Sequence, residues 1–224
     1  MAIALDAVTN MASGSGTSLT FAHTCTGDDR ILFVFVETAE GTTPVVSGVT
    51  YNSVAMTEIN NVSFTVGGNA VVYLYYLVAP STGANNVVIS CSSSMVLIRG
   101  NAVSYTGASQ TGQPDGSDTE TGSGASGTVT ITTTADNCWM VFGQANNAAE
   151  PTAGTNSTRR GTSGGGGFGY FDSNGAITPA QSFGMGWAVS GGNGFGVCAA
   201  SFSPAGAAVA TAQVHSNLPL LGVG

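Results

Sequence analysis

The feature that most limits this chain is an alternation of period two that recurs between clusters of Gly, Asn, Ser and Pro. In Ser18–Cys25, Leu19, Phe21, His23 and Cys25 fall on one side and Ser18, Thr20, Ala22 and Thr24 on the other. Successive side chains of a strand point to opposite faces, so this predicts a half-buried strand. Ile31–Val36 is apolar without a break, which predicts a strand buried on both faces. Val49-Thr50-Tyr51, Asn52-Ser53 and Val54-Ala55-Met56-Thr57 read as a hairpin with a two-residue loop of turn formers. Further strands are predicted at 70–78, 86–91, 96–105, 127–133, 138–144, 181–188 and 194–202. No stretch sustains a helical period, so the expected class is all-β, with two antiparallel sheets packed face to face. The segments 107–124 and 146–169 break the rhythm and read as long surface loops, the places where a compact domain carries contacts.

Composition removes several functions. The charged fraction is 7%, lysine is absent, and the only basic residues are Arg30, Arg99, Arg159 and Arg160 against twelve acids, for a net charge of −8. Counterion release on a phosphate backbone is closed to such a chain, so nucleic acid is not expected as a partner. Hydrophobic residues at 42% give enough apolar surface to oppose disorder. The longest apolar runs, 31–36 and 71–79, fall short of the roughly 20 residues that span a bilayer, and no membrane association is expected. The opening MAIALDAVTNMASGSG carries Asp6 and no basic residue, so no export signal is expected. Cys25, Cys91, Cys138 and Cys198 show no CxxC spacing and are expected as reduced, buried thiols. A Cys25–Cys198 disulfide is the alternative if the first and last strong strands pair.

No constellation points to catalysis. His23 and His215 have no partner histidine or carboxylate at ligand spacing, and His23 is expected as a hydrogen-bonded strand residue capping the turn at 24–27. There is no GxSxG elbow, and no enzyme is expected. Asp115, Asp118 and Glu120 could offer oxygen ligands to calcium, but the spacing of calcium loops is missing and a solvated acidic loop is the better reading. Gly164–Gly167 precedes no helix and reads as a loop tip rather than a phosphate cradle. No cofactor or metal is expected. Tyr73, Tyr75, Tyr76, Trp139, Phe142, Trp187 and Phe202 could form a sugar-stacking platform, yet their strand positions favour the core. Tyr75 and Tyr76 are adjacent, so one is expected to face outward as a contact residue.

The order FAHTCTGDDRILFVFV, VSGVTYNSVAMTEI, VYLYYLVAPSTGANNVVIS, AVSYTGASQTGQPDG and WAVSGGNGFGVCAASFSP resembles a jelly-roll domain of phage virion proteins of the capsid decoration or cement type, also seen in bacterial surface proteins. The resemblance implies a two-sheet jelly-roll sandwich over residues 18–204, an N-terminal arm over 1–17 and an extended C-terminal arm over 205–224. It implies a non-enzymatic structural protein assembled in the host cytoplasm and placed on the capsid surface, as a trimer in contact with the major capsid protein. The alternatives are a glycan-binding module of a phage tail or cell surface, and an extracellular filament subunit. The C-terminal stretch is uncharged apart from His215 and ends in Leu218, Pro219, Leu220 and Leu221, an apolar end expected, with Tyr75 and Tyr76, to contact a partner.

Overall fold

In the computed structural model, which describes residues 1–39, 45–65, 69–161 and 166–206, the regular structure is strand throughout. One sheet holds β1 (Ala4–Cys25), β2 (Ile31–Ala39), β3 (Val46–Tyr51), β4 (Val54–Ala55), β5 (Thr57–Thr65), β6 (Asn69–Val78) and β7 (Gly83–Thr106). The other holds β8 (Gly116–Thr132), β9 (Trp139–Asn146), β10 (Thr152–Ala153), β11 (Thr158–Arg160), β12 (Phe168–Asp172) and β13 (Ser182–Phe202). Both sheets are antiparallel, as the alternation predicts.

Each sheet is organised by one long pair. β1 runs beside β7 from Ala4↔Thr106 to Cys25↔Gly83, and β8 runs beside β13 from Gly116↔Ser201 to Thr132↔Ser182. On its other edge β7 carries β3 along its first half and β2 along its second. β13 does the same with β10 and β9. Beyond β2 lie β6 and β5; beyond β9 lie β12 and β11. Register slips interrupt the long pairs, in β1 between Thr9 and Ser18 and in β13 between Ala188 and Asn193. An extra residue on one strand bends it and sharpens its twist, so each sheet curls over itself.

Curling produces three cores. Inside the first sheet Leu32, Val34 and Val36 meet Tyr51, Tyr73, Val87 and Ile89, and inside the second Met140 and Phe142 meet Phe171, Trp187 and Val197. Between the sheets Ile31, Phe33, Phe35 and Tyr105 meet Trp139, Val141 and Phe202. The unbroken run Ile31–Val36 is thereby explained: its odd residues enter the seam between the sheets, its even residues the first sheet's interior, and all six are fully buried. Their burial contributes on the order of 10 kcal/mol before ordering costs.

The predicted hairpin joins β3 to β4, with Asn52 and Ser53 both at positive φ, the backbone of a two-residue hairpin turn. Three expectations are corrected. Residues 4–17, read as an arm, form the first half of β1, and residues 116–124, read as loop, form the first half of β8. Residues 146–169 are likewise not one loop, since β10, β11 and the start of β12 interrupt them. The first half of β8 hides in sequence because one face meets solvent and the other packs through small residues, Gly122 lying under the Phe195 ring, whereas in β1 register shifts break the alternation of Leu5, Val8 and Met11, which pack against the seam. Cys25 belongs to the first interior and Cys198 to the seam, and all four cysteines are free and buried, so Cys25 and Cys198 are not neighbours.

Candidate functional site

The best-defined polar constellation closes the corner between β1 and β2. One carboxylate oxygen of Asp6 accepts the Thr26 N–H at 2.9 Å and the Ser104 hydroxyl at 2.7 Å, while the other accepts the Thr26 hydroxyl. Burial alone would raise the Asp6 pKa, but these bonds and the nearby His23 hold it below the usual carboxylate value. With its proton directed to Asp6, Ser104 Oγ accepts the Nε2–H of His23 at 3.0 Å, and His23 Nδ1 stands 2.9 Å from the Thr9 hydroxyl, whose proton is shared with Ala22 O at 3.2 Å. The tautomer is thus fixed by its neighbours. Burial depresses the His23 pKa to about 4 against the opposing pull of Asp6, so the ring is neutral at pH 7.

Thr9, His23, Ser104 and Asp6 form a continuous relay, but Ser104 and His23 are buried and the serine separates the imidazole from the carboxylate. The arrangement fixes the two halves of β1 to each other and to β7. His23 is the hydrogen-bonded strand residue expected; the turn after Cys25 is capped instead by Asp6, for which the sequence offered no signal beyond a lone acid in a small-residue stretch.

Asp115 has the matching task in the second sheet. It accepts the Thr134 N–H at 2.9 Å, the Thr134 hydroxyl, and the Ser201 hydroxyl at 3.1 Å. Asp118 accepts the N–H of Thr119, and Glu120 is exposed on β8. The three acids therefore do not converge, and among the described residues no three metal-ligating side chains do.

Among the described residues two buried ion pairs lie within the sheets, and one of them is tied across the seam by a hydroxyl. Asp172 is fully buried and receives Arg160 Nε at 2.7 Å and the Tyr105 hydroxyl at 2.8 Å, so a carboxylate of the second sheet holds a tyrosine of the first. Glu37, also buried, pairs with Arg99 at 2.8 Å. Burial raises the Glu37 pKa while Arg99 works against it.

The aromatic residues weighed as a platform are interior, as their strand positions predict. Tyr73, Phe142, Trp187 and Phe202 are fully buried and Trp139 nearly so. Tyr75 is buried in the first sheet with its hydroxyl donating to Glu58 at 2.7 Å; Tyr76 is half-buried on the seam side and donates to Gln113 O at 2.7 Å. The neighbours do face opposite ways, but neither faces solvent, because β6 is covered on both sides. Leu218, Pro219, Leu220, Leu221 and His215 lie outside the described residues.

Concavities open at the surface of the described residues. A cavity of about 1080 Å³ lies at the end of the seam between Met1–Ile3 and Thr134–Asn137, beside Trp139 and Pro204–Gly206. A groove of about 320 Å³ runs along Asn52, Ser53, Asn85 and Asn86. No family model matches the sequence, and comparison with curated proteins and with solved structures found no match.

Proposed function

We propose that the protein is a non-enzymatic structural component of a phage virion, a capsid decoration or cement subunit that sits on the major capsid protein as a homotrimer. The observation that carries this reading is the strand order. The first half of β1, the second half of β7, β2 and β6 are successive neighbours, and so are the second half of β1, the first half of β7, β3 and β4. We read these two four-stranded layers, rolled from one long ribbon, as a jelly roll within the first sheet, and the order of β8, β13, β9 and β12 with β10 as its counterpart in the second. The resemblance seen in sequence then applies to each sheet rather than to a single sandwich over 18–204.

The distribution of polar groups agrees with a scaffold. Asp6, Asp115, Asp172 and His23 all face inward and tie strands together. Outward positions on β1 hold Thr20, Ala22 and Thr24, and those on β8 hold Thr128, Thr130 and Thr132. Short uncharged side chains let another protein surface approach closely. In this reading Leu218, Pro219, Leu220 and Leu221 supply a further apolar contact to the shell. A glycan-binding role would use the asparagine groove, but the Asn85 amide already donates to Tyr51 Oη, Thr82 O and Gly83 O.

Immunogold labelling of purified particles tests the proposal. Label on the heads, lost when residues 216–224 are deleted although the isolated protein melts at the same temperature, is the expected result. Particles free of label, with selective binding on a glycan array, would replace this reading with the lectin one.

A further inference from the structure

We infer that the seam between the two sheets is a homodimer interface fused into one chain: β1–β7 and β8–β13 are two copies of one folding unit, packed about a pseudo-two-fold axis, and the seam face of each fits a second copy of the other. The inference rests on the fold and not on the proposed role.

Connectivity is the first observation. In each sheet an outer long strand pairs along the whole of the last strand, whose other edge holds a short strand first and the unit's second strand after it, followed by the same two further strands. Local chemistry is the second. Asp6, Thr26 and Ser104 occur again as Asp115, Thr134 and Ser201, with the same carboxylate accepting the same N–H and two hydroxyls. The turn that follows holds a residue at positive φ in both units, Asp29 at 49° and Asn137 at 62°.

The seam itself is the third. In a two-fold interface residues near the axis meet their own equivalents, and off-axis contacts occur twice. Ile31↔Tyr105 and Trp139↔Phe202 are matching strand pairs, which makes Tyr105 equivalent to Phe202 and Phe35 equivalent to Gly143. Tyr105 and Phe202 lie against each other, ring centroids 5.0 Å apart. Phe35 covers Gly143 so closely that a Cβ there would fall inside its ring. Off the axis, β5 reaches β8 and β13 through Asn60, whose amide donates to Asp118 O at 3.0 Å, and Gly161 just after β11 abuts Val8 and Asn10 of β1. The segments leaving β7 and β13 cross antiparallel, with Ser109 N–H donating to Ser203 O and Ala205 N–H to Gly107 O.

Exchanging the on-axis pair in the full chain tests the inference. Phe35→Gly leaves a void and Gly143→Phe a clash, and each should lower the folding equilibrium constant by at least roughly a hundredfold in urea denaturation. The double variant should fold and exceed the product of the two losses by at least tenfold. A contacting pair would couple in any fold, so the position of the new ring decides. Phe35 now stacks on Phe168 with centroids 4.7 Å apart. The residue equivalent to Phe168 is Val72. The dyad therefore carries the ring introduced by Gly143→Phe onto Val72, whose methyl resonances should move upfield in the double variant alone. A double variant that does not fold, coupling below tenfold, or unmoved Val72 methyls would each overturn the inference.

Discussion

The two sheets close the same corner with the same three residues and differ in what stands beside it. In the first, Asp6, Thr26 and Ser104 are continued by His23 and Thr9; in the second, Asp115, Thr134 and Ser201 have Ile131 where His23 stands, each three residues before the clasped threonine. Ile131 is buried in the second sheet's interior with no polar demand. Imidazole and isoleucine thus serve one architecture. The clasp is the architectural element, and the relay through His23 is an addition that the second corner lacks.

Interior volumes show the same divergence. Leu19 pairs with Ile89 in the first sheet, and at the corresponding place Gly127 pairs with Trp187, whose indole lies over the glycine. Two medium side chains in one unit are replaced by a large and an absent one in the other. Gly127→Leu should therefore cost at least roughly 3 kcal/mol, by driving a branched side chain into the indole. Adding Trp187→Ile, which copies the first sheet's pair, should bring stability back to within about 1.5 kcal/mol of the parent, read from urea midpoints. No recovery in the double variant would break the correspondence at this layer.

Acid should separate the two corners. The folded His23 pKa of about 4 lies below the ordinary 6.5, so the unfolded chain binds the extra proton first. Its contribution to stability is complete above pH 6.5, declines as pH falls toward 4 and is flat below that, a total loss of about 3 kcal/mol. His23→Ile should remove this limb and leave the second unit unchanged. A wild-type urea midpoint that is constant from pH 7 to 4 would show that the ring is not held neutral. Asp6, held below its usual value, contributes stability present above the ordinary carboxylate pKa and lost as pH falls through the folded one.

The clasps should be equal. Asp6→Asn and Asp115→Asn each weaken charge-assisted hydrogen bonds at one corner and should cost about 2 kcal/mol at pH 7, within about 1 kcal/mol of each other. A large cost at one corner alone would mean that the shared geometry carries different loads. The smallest effect is expected at Arg159, which pairs with Glu150 at a partly exposed site of the second unit. Arg159→Ala should change stability by about 0.5 kcal/mol.

Much of the fold is legible in sequence, for identifiable reasons. Ile31–Val36 declares burial on both faces, and Asn52-Ser53 declares a hairpin through the positive φ that these short side chains tolerate. The first half of β8 is not legible, because Thr119 and Gly122 show no apolar face, and that of β1 is not, because register shifts space Leu5, Val8 and Met11 three apart instead of two. Asp6 and Asp115 look like solvated acids until the fold brings a threonine and a serine to them. The duplication is hidden for a related reason: Phe35 and Gly143, Leu19 and Gly127, Ile89 and Trp187, and His23 and Ile131 diverged while compensating one another's volumes and polar needs, so equivalent positions kept their place and lost their identity.

Whether two equivalent units meet across one pseudo-two-fold seam can be read from the nuclear Overhauser spectrum of the full chain. The Gly143 Hα protons should resonate upfield and show strong cross-peaks to the Phe35 ring, and the Tyr105 ring should show cross-peaks to the ring of Phe202. Gly143 Hα at an ordinary shift, with Phe35 cross-peaks confined to residues of the first sheet, would contradict it.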